Sequence, residues 1–191
     1  MSALMTNHSL TVETSSSSAA GVEQLYWGQA RGWFGNCLLF WTEIGLCGLD
    51  LAPTSGSEID YQQYWQAQHS HRDDAEAGRI SARLFVEHPF DLRLHLRGTE
   101  FQLKVWQSLL KFPAGETVRY GKLAEQMGLG RQGARAVGGA VAANRIAIVI
   151  PCHRVLPASG GIGGFRWGAD IKRALLDRER LSVAAPARAA A

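Results

Sequence analysis

Residues 91–97 alternate strictly, with Leu92, Leu94 and Leu96 on one side and Arg93, His95 and Arg97 on the other. This predicts a strand buried on one face. Ahead of it, residues 25–51 come in apolar bursts at Tyr26-Trp27, 37–41 and 46–51, divided by Gly-containing turns, which predicts a meander of strands. Residues 58–85 scatter Tyr61, Tyr64, Trp65 and Leu84 among polar positions and predict mostly helix, broken near Asp73-Asp74. After Gly98 the period lengthens. Thr99 and Gln102 make a capping box, and Phe101, Val105, Trp106 and Leu109 form one helical stripe that stops before Pro113-Ala114-Gly115. Residues 117–120 read as a short extended piece, 122–127 as a second helix stopped by Gly128, and 131–143 as a third. Helix, tight turn and Ala/Gly-rich helix make a helix-turn-helix pattern, although short helix pairs are also ordinary packing units. Ile146-Ala147-Ile148-Val149-Ile150 is an unbroken apolar run, a buried strand or core-threading segment, which Pro151 ends by fixing φ and removing a donor. A loop at 157–164 and a last helix at 169–181 complete the pattern.

The small, polar residues of 1–22 predict a disordered tail, and 183–191 predict a flexible one. Between them the chain divides at Gly98 into an α/β domain at 23–97 and a second domain at 98–182. An apolar fraction of 46% over 191 residues suffices for both cores. Charge divides at the same place: residues 1–97 hold 6 Lys/Arg against 11 Asp/Glu and residues 98–191 hold 14 against 6, so the halves carry −5 and +8. A basic half points to a polyanionic partner, or else to a solvated face on which Arg173, Arg178 and Arg180 line a helix. Cys37, Cys47 and Cys152 lack CxxC spacing and argue against a disulfide framework or a zinc cluster. His69 and His71 have no third ligand type nearby and read as exposed. No Lys or Arg precedes Arg31, and no apolar run approaches the ~20 residues of a membrane span, so a cytoplasmic protein with no membrane partner is expected.

The candidate chemistry follows the apolar run. Cys152 stands beside His153 and Arg154, and a thiol becomes a strong nucleophile when a base or positive charge lowers its pKa. The pair alone is equally compatible with a small buried cysteine packed as a hydrophobe. From an extended backbone His153 cannot easily touch Cys152, so a turn or a bridging water is required. In the last helix Ile171 and Leu175 mark a buried stripe, and Glu179 falls next on that line, which aims an acid at the core. A buried carboxylate needs a partner: His153, or a salt bridge to Arg154 or Lys172, unless the helix frays and exposes it.

Pro151-Cys152-His153-Arg154-Val155 after an apolar run, with Asn144 eight residues before the cysteine and a Gly-rich loop behind it, resembles the active-site signature of the O6-alkylguanine-DNA alkyltransferases. The resemblance runs from about Gly98 to Leu181; the first 97 residues match only in general character. It implies an α/β (α+β) protein: a small ribonuclease-H-like domain of strands and helix, then a winged-helix-like domain that binds DNA. It implies one direct transfer per molecule, from O6-methylguanine and O4-methylthymine in duplex DNA to Cys152. No cofactor or metal is involved, and a monomer is expected. His153 would act through a water and Glu179 would orient it. Asn144 would tie the helix end to the cysteine turn, where its bland reading is a helix cap. Tyr120, otherwise a packing aromatic, would contact the lesion base and its flanking phosphate.

By the same resemblance Arg135 is the finger that fills the stack when the damaged nucleotide is flipped out, with Tyr120, Ala134 and Gly138 also meeting DNA. The small residues around Arg135 are equally suited to helix–helix packing. Val141, Val155, Phe165 and Trp167 would line the lesion pocket. Three departures stand out. Phe165 replaces a more usual tyrosine, Trp167 is bulky where some members have glycine, and Gly130-Arg131-Gln132-Gly133 lacks the common Pro-Lys pair. Two rival classes remain: a lesion-binding sensor, whose relatives carry another residue in place of the cysteine, and a cysteine hydrolase, which has no use for a basic helix-turn-helix.

Overall fold

The alternating stretch forms β6 (Asp91–Gly98), with Leu92, Leu94 and Leu96 buried as expected. Its polar side is not solvated. His95 and Arg97 are buried too, because each finds partners: Ser15 Oγ and Thr42 Oγ1 bond the two His95 ring nitrogens, and the Arg97 guanidinium donates to the carbonyls of Ser17, Ala19 and Ala20. The computed structural model describes residues 9–85 and 91–184.

These residues form two units, of mixed α/β character overall. The first takes the described residues through Leu103, together with Arg145–Ala147. Its strands β1 (Ser9–Ser16), β2 (Gln24–Gly32), β3 (Gly35–Trp41), β4 (Leu46–Asp50) and β5 (His69–Arg72) join β6 in one sheet of order β1-β6-β4-β3-β2-β5. β2, β3 and β4 are the antiparallel meander that the apolar bursts predict. The β1/β6, β4/β6 and β2/β5 pairs are parallel. Helix α1 (Ser57–Trp65) lays Tyr61 and Trp65 on Leu25 and Phe40, with the Phe40 and Tyr61 rings stacked 3.8 Å apart. On the other side of β2, Gly28 lets α2 (Asp74–Leu84) approach, since a Cβ there would stand 2.8 Å from that of Ala77.

Three expectations need correction here. Residues 9–16 of the supposed tail are strand β1, held by backbone pairing to β6 that requires no apolar side chain; residues 1–8 lie outside the described residues. The break in the helical stretch holds a whole edge strand, β5. The boundary expected at Gly98 falls instead after Leu103, inside α3 (Glu100–Leu109). The capping box that starts α3 is present, with Thr99 Oγ1 accepting from Gln102 N at 3.2 Å and Gln102 Oε1 accepting from Thr99 N at 2.9 Å.

In the second unit β7 (Val118–Arg119) leads into α4 (Tyr120–Gln126), then a 3-10 turn at Arg131–Gly133 and α5 (Ala134–Ala142). A 3-10 turn at Cys152–Arg154, β8 (Val155–Leu156) parallel to β7, and α6 (Ala169–Ala184) follow. The apolar run Ile146 to Ile150 is buried but is a core-threading segment of turns, not a strand. Its one bridge is Ile146 to Leu49, and the backbone reverses at Ile148, where φ is 65°. Residues 183 and 184 of the expected tail belong to α6, and residues 185–191 lie outside the described residues. Among the described residues no helix is long and apolar enough to cross a membrane.

Candidate active site

Pro151 stops the apolar run, and the chain closes at once into a tight turn, with Cys152 N donating to Ile150 O at 2.7 Å and Arg154 N to Pro151 O at 3.0 Å. This turn separates the Cys152 side chain from those of His153 and Arg154. Cys152, His153 and Arg154 are all buried. Asn144, two residues past α5, donates from Nδ2 to Ile150 O at 3.1 Å and to Cys152 Sγ at 3.0 Å. The end of α5 is therefore tied to the cysteine turn.

His153 points to α6, its Nε2 2.7 Å from Glu179 Oε1. A carboxylate only accepts, so Nε2 carries the proton and Nδ1 keeps its lone pair. That Nδ1 is buried and has no partner among the described residues. Burial holds the imidazole below its ordinary pKa, although Glu179 pulls the other way, so the ring is neutral and available as a base. Arg154 turns to the same carboxylate, with Nη2 2.6 Å from Oε1 and Nε 3.0 Å from both oxygens, and Gly115 N completes the shell at 3.0 Å from Oε2. Burial pushes the Glu179 carboxyl up, but hydrogen bonds and charge from His153 and Arg154 outweigh it and hold the group at about 2. The partners left open for Glu179 are thus His153 and Arg154 together.

Two expectations fail at this point. The stripe that delivers Glu179 is Lys172, Leu175 and Glu179, all buried, while Ile171 is only half-buried. Lys172, weighed in the sequence only as a salt-bridge partner for Glu179, lies seven residues before it and so on the same helix face, but its partners are different. Its Nζ donates to Val155 O at 2.8 Å and Gly164 O at 3.2 Å. Nor does the sequence neighbour Arg154 activate the thiol, since its guanidinium is occupied by Glu179 and Phe112 O. Burial pushes the Cys152 thiol up to about 11, against the pull of the Asn144 amide and the Lys172 and Arg166 charges. Burial thus disfavours the thiolate of Cys152.

Cys152 and Asn144 open onto a cavity of about 240 Å³ whose wall includes Tyr120, Val141, Phe165 and Trp167. Four of the residues expected around a lesion are thereby brought together. Val155 is not among the lining residues; it is fully buried in β8 and offers only its carbonyl, to Lys172. Phe165 and Trp167 meet edge to face at 5.1 Å between ring centroids. Burial, then the nearness of Cys152, raises the Tyr120 hydroxyl above its ordinary pKa.

On α5, Val137, Ala140 and Val141 face inward, and Trp106 Nε1 donates to Ala140 O at 2.8 Å. Arg135, Ala136 and Gly139 face solvent, with Ala134 and Gly138 half-exposed. A Cβ at Gly139 would meet nothing within 4 Å, and one at Gly138 would make ordinary contact with the Tyr120 ring at 3.8 Å. Internal packing therefore does not require these glycines. Arg135 makes no hydrogen bond or ion pair among the described residues, whereas Arg131 nearby is held by Glu125 at 2.7 Å.

Comparison with known proteins follows the same lines. The family described as 6-O-methylguanine DNA methyltransferase, DNA binding domain, matches residues 100–181. The bifunctional transcriptional activator/DNA repair enzyme Ada of Escherichia coli is 39% identical over 159 residues, which are 76% of this chain and 42% of that protein. A methylated-DNA–protein-cysteine methyltransferase of Mycobacterium bovis is 53% identical over 91 residues, 48% of this chain and 54% of its own length. The chain thus spans about half the length of these curated relatives. Among solved structures, Mycobacterium tuberculosis OGT in complex with DNA superposes with a TM-score of 0.66 at 36% identity, covering 81% of this chain and 92% of that one.

Proposed function

We propose, since the chain belongs to the methylated-DNA–protein-cysteine methyltransferase family, that it repairs DNA by moving an alkyl group from O6 of guanine, and from O4 of thymine, onto Cys152, once per molecule. The observation that carries this reading is a cysteine thiol on a base-sized cavity, with an amide donor at its sulfur and a buried, unpartnered imidazole nitrogen next to it in the chain. Sγ attacks the alkyl carbon, the carbon–oxygen bond breaks, and its electron pair stays on the base oxygen. The thiol proton passes through a water to His153 Nδ1, and a proton returns to the base, so guanine leaves in its ordinary form. Glu179 keeps the imidazole in the tautomer this requires and stabilises the imidazolium in between. The thioether has no route back, and the atoms balance without a cofactor.

Duplex DNA is the partner on this reading. The +8 half supplies phosphate neutralisation, and the exposed Ala/Gly face of α5 allows close approach, with Arg135 free to replace an extruded nucleotide. The relatives whose names or titles mention DNA repair or bound DNA support it. We read the first unit as ribonuclease-H-like, on the strength of its mixed sheet with helices on both faces, and the second as winged-helix-like, with α4 and α5 as the helix pair and β7–β8 beside them. On this reading the protein acts as a monomer, and the location that suits the substrate is the cytoplasm.

The test is the intact-protein mass after mixing with DNA that contains O6-methylguanine. One methyl group should appear, map to Cys152, and inactivate the molecule stoichiometrically. Repeated turnover, or a methyl group on Cys37 or Cys47, overturns the proposal.

A further inference from the structure

Lys172 is the one lysine among the described residues that is completely buried, at 0% exposure. It lies on α6 one turn before Leu175 and two turns before Glu179, so a single helix face grips the Cys152–Arg154 turn and the β8 strand after it: Glu179 takes the side chains of His153 and Arg154, and Lys172 takes the carbonyl of Val155. The same ammonium reaches Gly164 O at 3.2 Å and stands 6.0 Å from the Phe165 ring centroid. Gly164 and Phe165 belong to the cavity wall. Lys172 therefore closes the loop between Val155 and Gly164 from within.

Its partners are two neutral carbonyls and a ring. No carboxylate pairs with it among the described residues, whereas a buried ammonium is ordinarily matched by an anion. The missing anion is one that the reaction itself makes. We propose, resting on the alkyl-transfer reading above, that Lys172 is a positioning residue for that reaction: it fixes the cavity wall through Val155 O and Gly164 O, and it keeps beside Cys152 a positive charge that is unmatched while the sulfur is a thiol and matched while it is a thiolate.

An interaction that strengthens only as charge develops lowers the barrier without tightening ground-state binding, and a charge held by fixed carbonyls needs no reorganisation when the proton leaves. Burial lowers the Lys172 pKa and Cys152 raises it, while Lys172 in turn pulls the Cys152 thiol down, so the two influences agree in direction. The other groups that bear on the sulfur are the Asn144 amide, the Arg166 charge and the Tyr120 hydroxyl, with His153 next in the chain. None of them also ties the wall of the cavity through two backbone carbonyls.

The experiment compares wild type with Lys172→Gln, which keeps a donor but no charge, and with Lys172→Arg, which keeps the charge. Two reactions are followed across pH: iodoacetamide alkylation mapped to Cys152, and methyl transfer from O6-methylguanine DNA. Lys172→Gln should bind DNA as wild type does, slow transfer by roughly 10-fold or more near neutral pH, and move both profiles to higher pH, while Lys172→Arg restores much of each. Unchanged profiles in Lys172→Gln, or a loss that tracks melting temperature without any pH shift, overturn the proposal. Should Lys172→Gln fail to fold, wild type itself decides: the 15N resonance of Lys172 Nζ must shift as Cys152 ionises, and that step must vanish in Cys152→Ala. Its presence in both proteins overturns the proposal as well. A wild type that reacts with iodoacetamide in this way but takes no methyl group from DNA sinks the transfer reading and leaves the Lys172–Cys152 coupling standing.

Discussion

Replacing Glu179 with Gln removes one charge from a site where two other groups depend on it. Glu179 is 1% exposed, so its interactions escape solvent screening. Its carboxyl titrates at about 2 in the folded protein against an ordinary value of 4.5, and that difference corresponds to roughly 3 kcal/mol of stability at neutral pH. Because the folded value lies below the unfolded one, this stabilisation is complete above about pH 4.5 and drains away as pH falls towards 2; at pH 3 less than half remains. Glu179→Gln also leaves Arg154 buried without its counter-charge, which puts the expected loss at neutral pH in the range of about 3–5 kcal/mol. The assay is urea denaturation of both proteins at several pH values from 7 down to 3, with exchange of the Gly115 amide, whose acceptor is Glu179 Oε2, as a local probe. The gap between the proteins should be widest at pH 7 and narrow steadily in acid. A gap below about 1 kcal/mol at pH 7, or one that does not change with pH, would refute the assignment of Glu179 as the ionised hub of this cluster.

Arg135→Ala should slow transfer from duplex DNA by roughly 10-fold or more yet leave transfer from free O6-methylguanine nearly unchanged, since only the duplex must extrude a base. Equal slowing of both substrates would mean that Arg135 supports the fold or the pocket instead. Asn144→Ala removes the donor to Sγ and to Ile150 O, so iodoacetamide alkylation of Cys152 should need a higher pH and slow by about 10-fold at neutral pH; an unchanged profile would remove Asn144 from the activation of the thiol. Affinity for undamaged DNA should fall steeply with salt, through counterion release from the +8 half, and a flat response would contradict phosphate neutralisation.

Periodicity in the sequence found elements wherever side chains pay for burial. The Leu92, Leu94, Leu96 alternation, the α3 stripe behind its capping box and the inward aim of Glu179 are all of that kind, because each depends on which face of an element is apolar. The misses are elements held by backbone or by buried charge. β1 and β5 are edge strands of mostly exposed, polar residues, so no hydrophobic signal marks them. Lys172 was weighed only as a salt-bridge partner for Glu179, because nothing in the sequence marks the carbonyls of Val155 and Gly164, which come together in the fold and make its burial tolerable. The run from Ile146 to Ile150 carried a true burial signal but left strand and core-threading segment open, since apolar composition cannot reveal that Ile148 turns at positive φ.

The cysteine turn shows why proximity in sequence misled about acidity. His153 and Arg154 follow Cys152 directly, yet the 3-10 turn delivers both to Glu179, and burial pushes the thiol up to about 11. Burial therefore disfavours the thiolate at neutral pH. Cys37 is held at about 11 by burial as well, so resting acidity is not what distinguishes the reactive cysteine. What distinguishes Cys152 is its company: a cavity, an amide on the sulfur, a neutral imidazole with an unpartnered Nδ1, and a buried ammonium without an anion. The amide and the ammonium both favour the thiolate, and the imidazole can accept its proton. A nucleophile spent after one reaction is best kept as a thiol, because a thiolate exposed at rest would be lost to the first electrophile to diffuse in. A thiol that burial keeps from ionising at rest is therefore compatible with the alkyl-transfer reading.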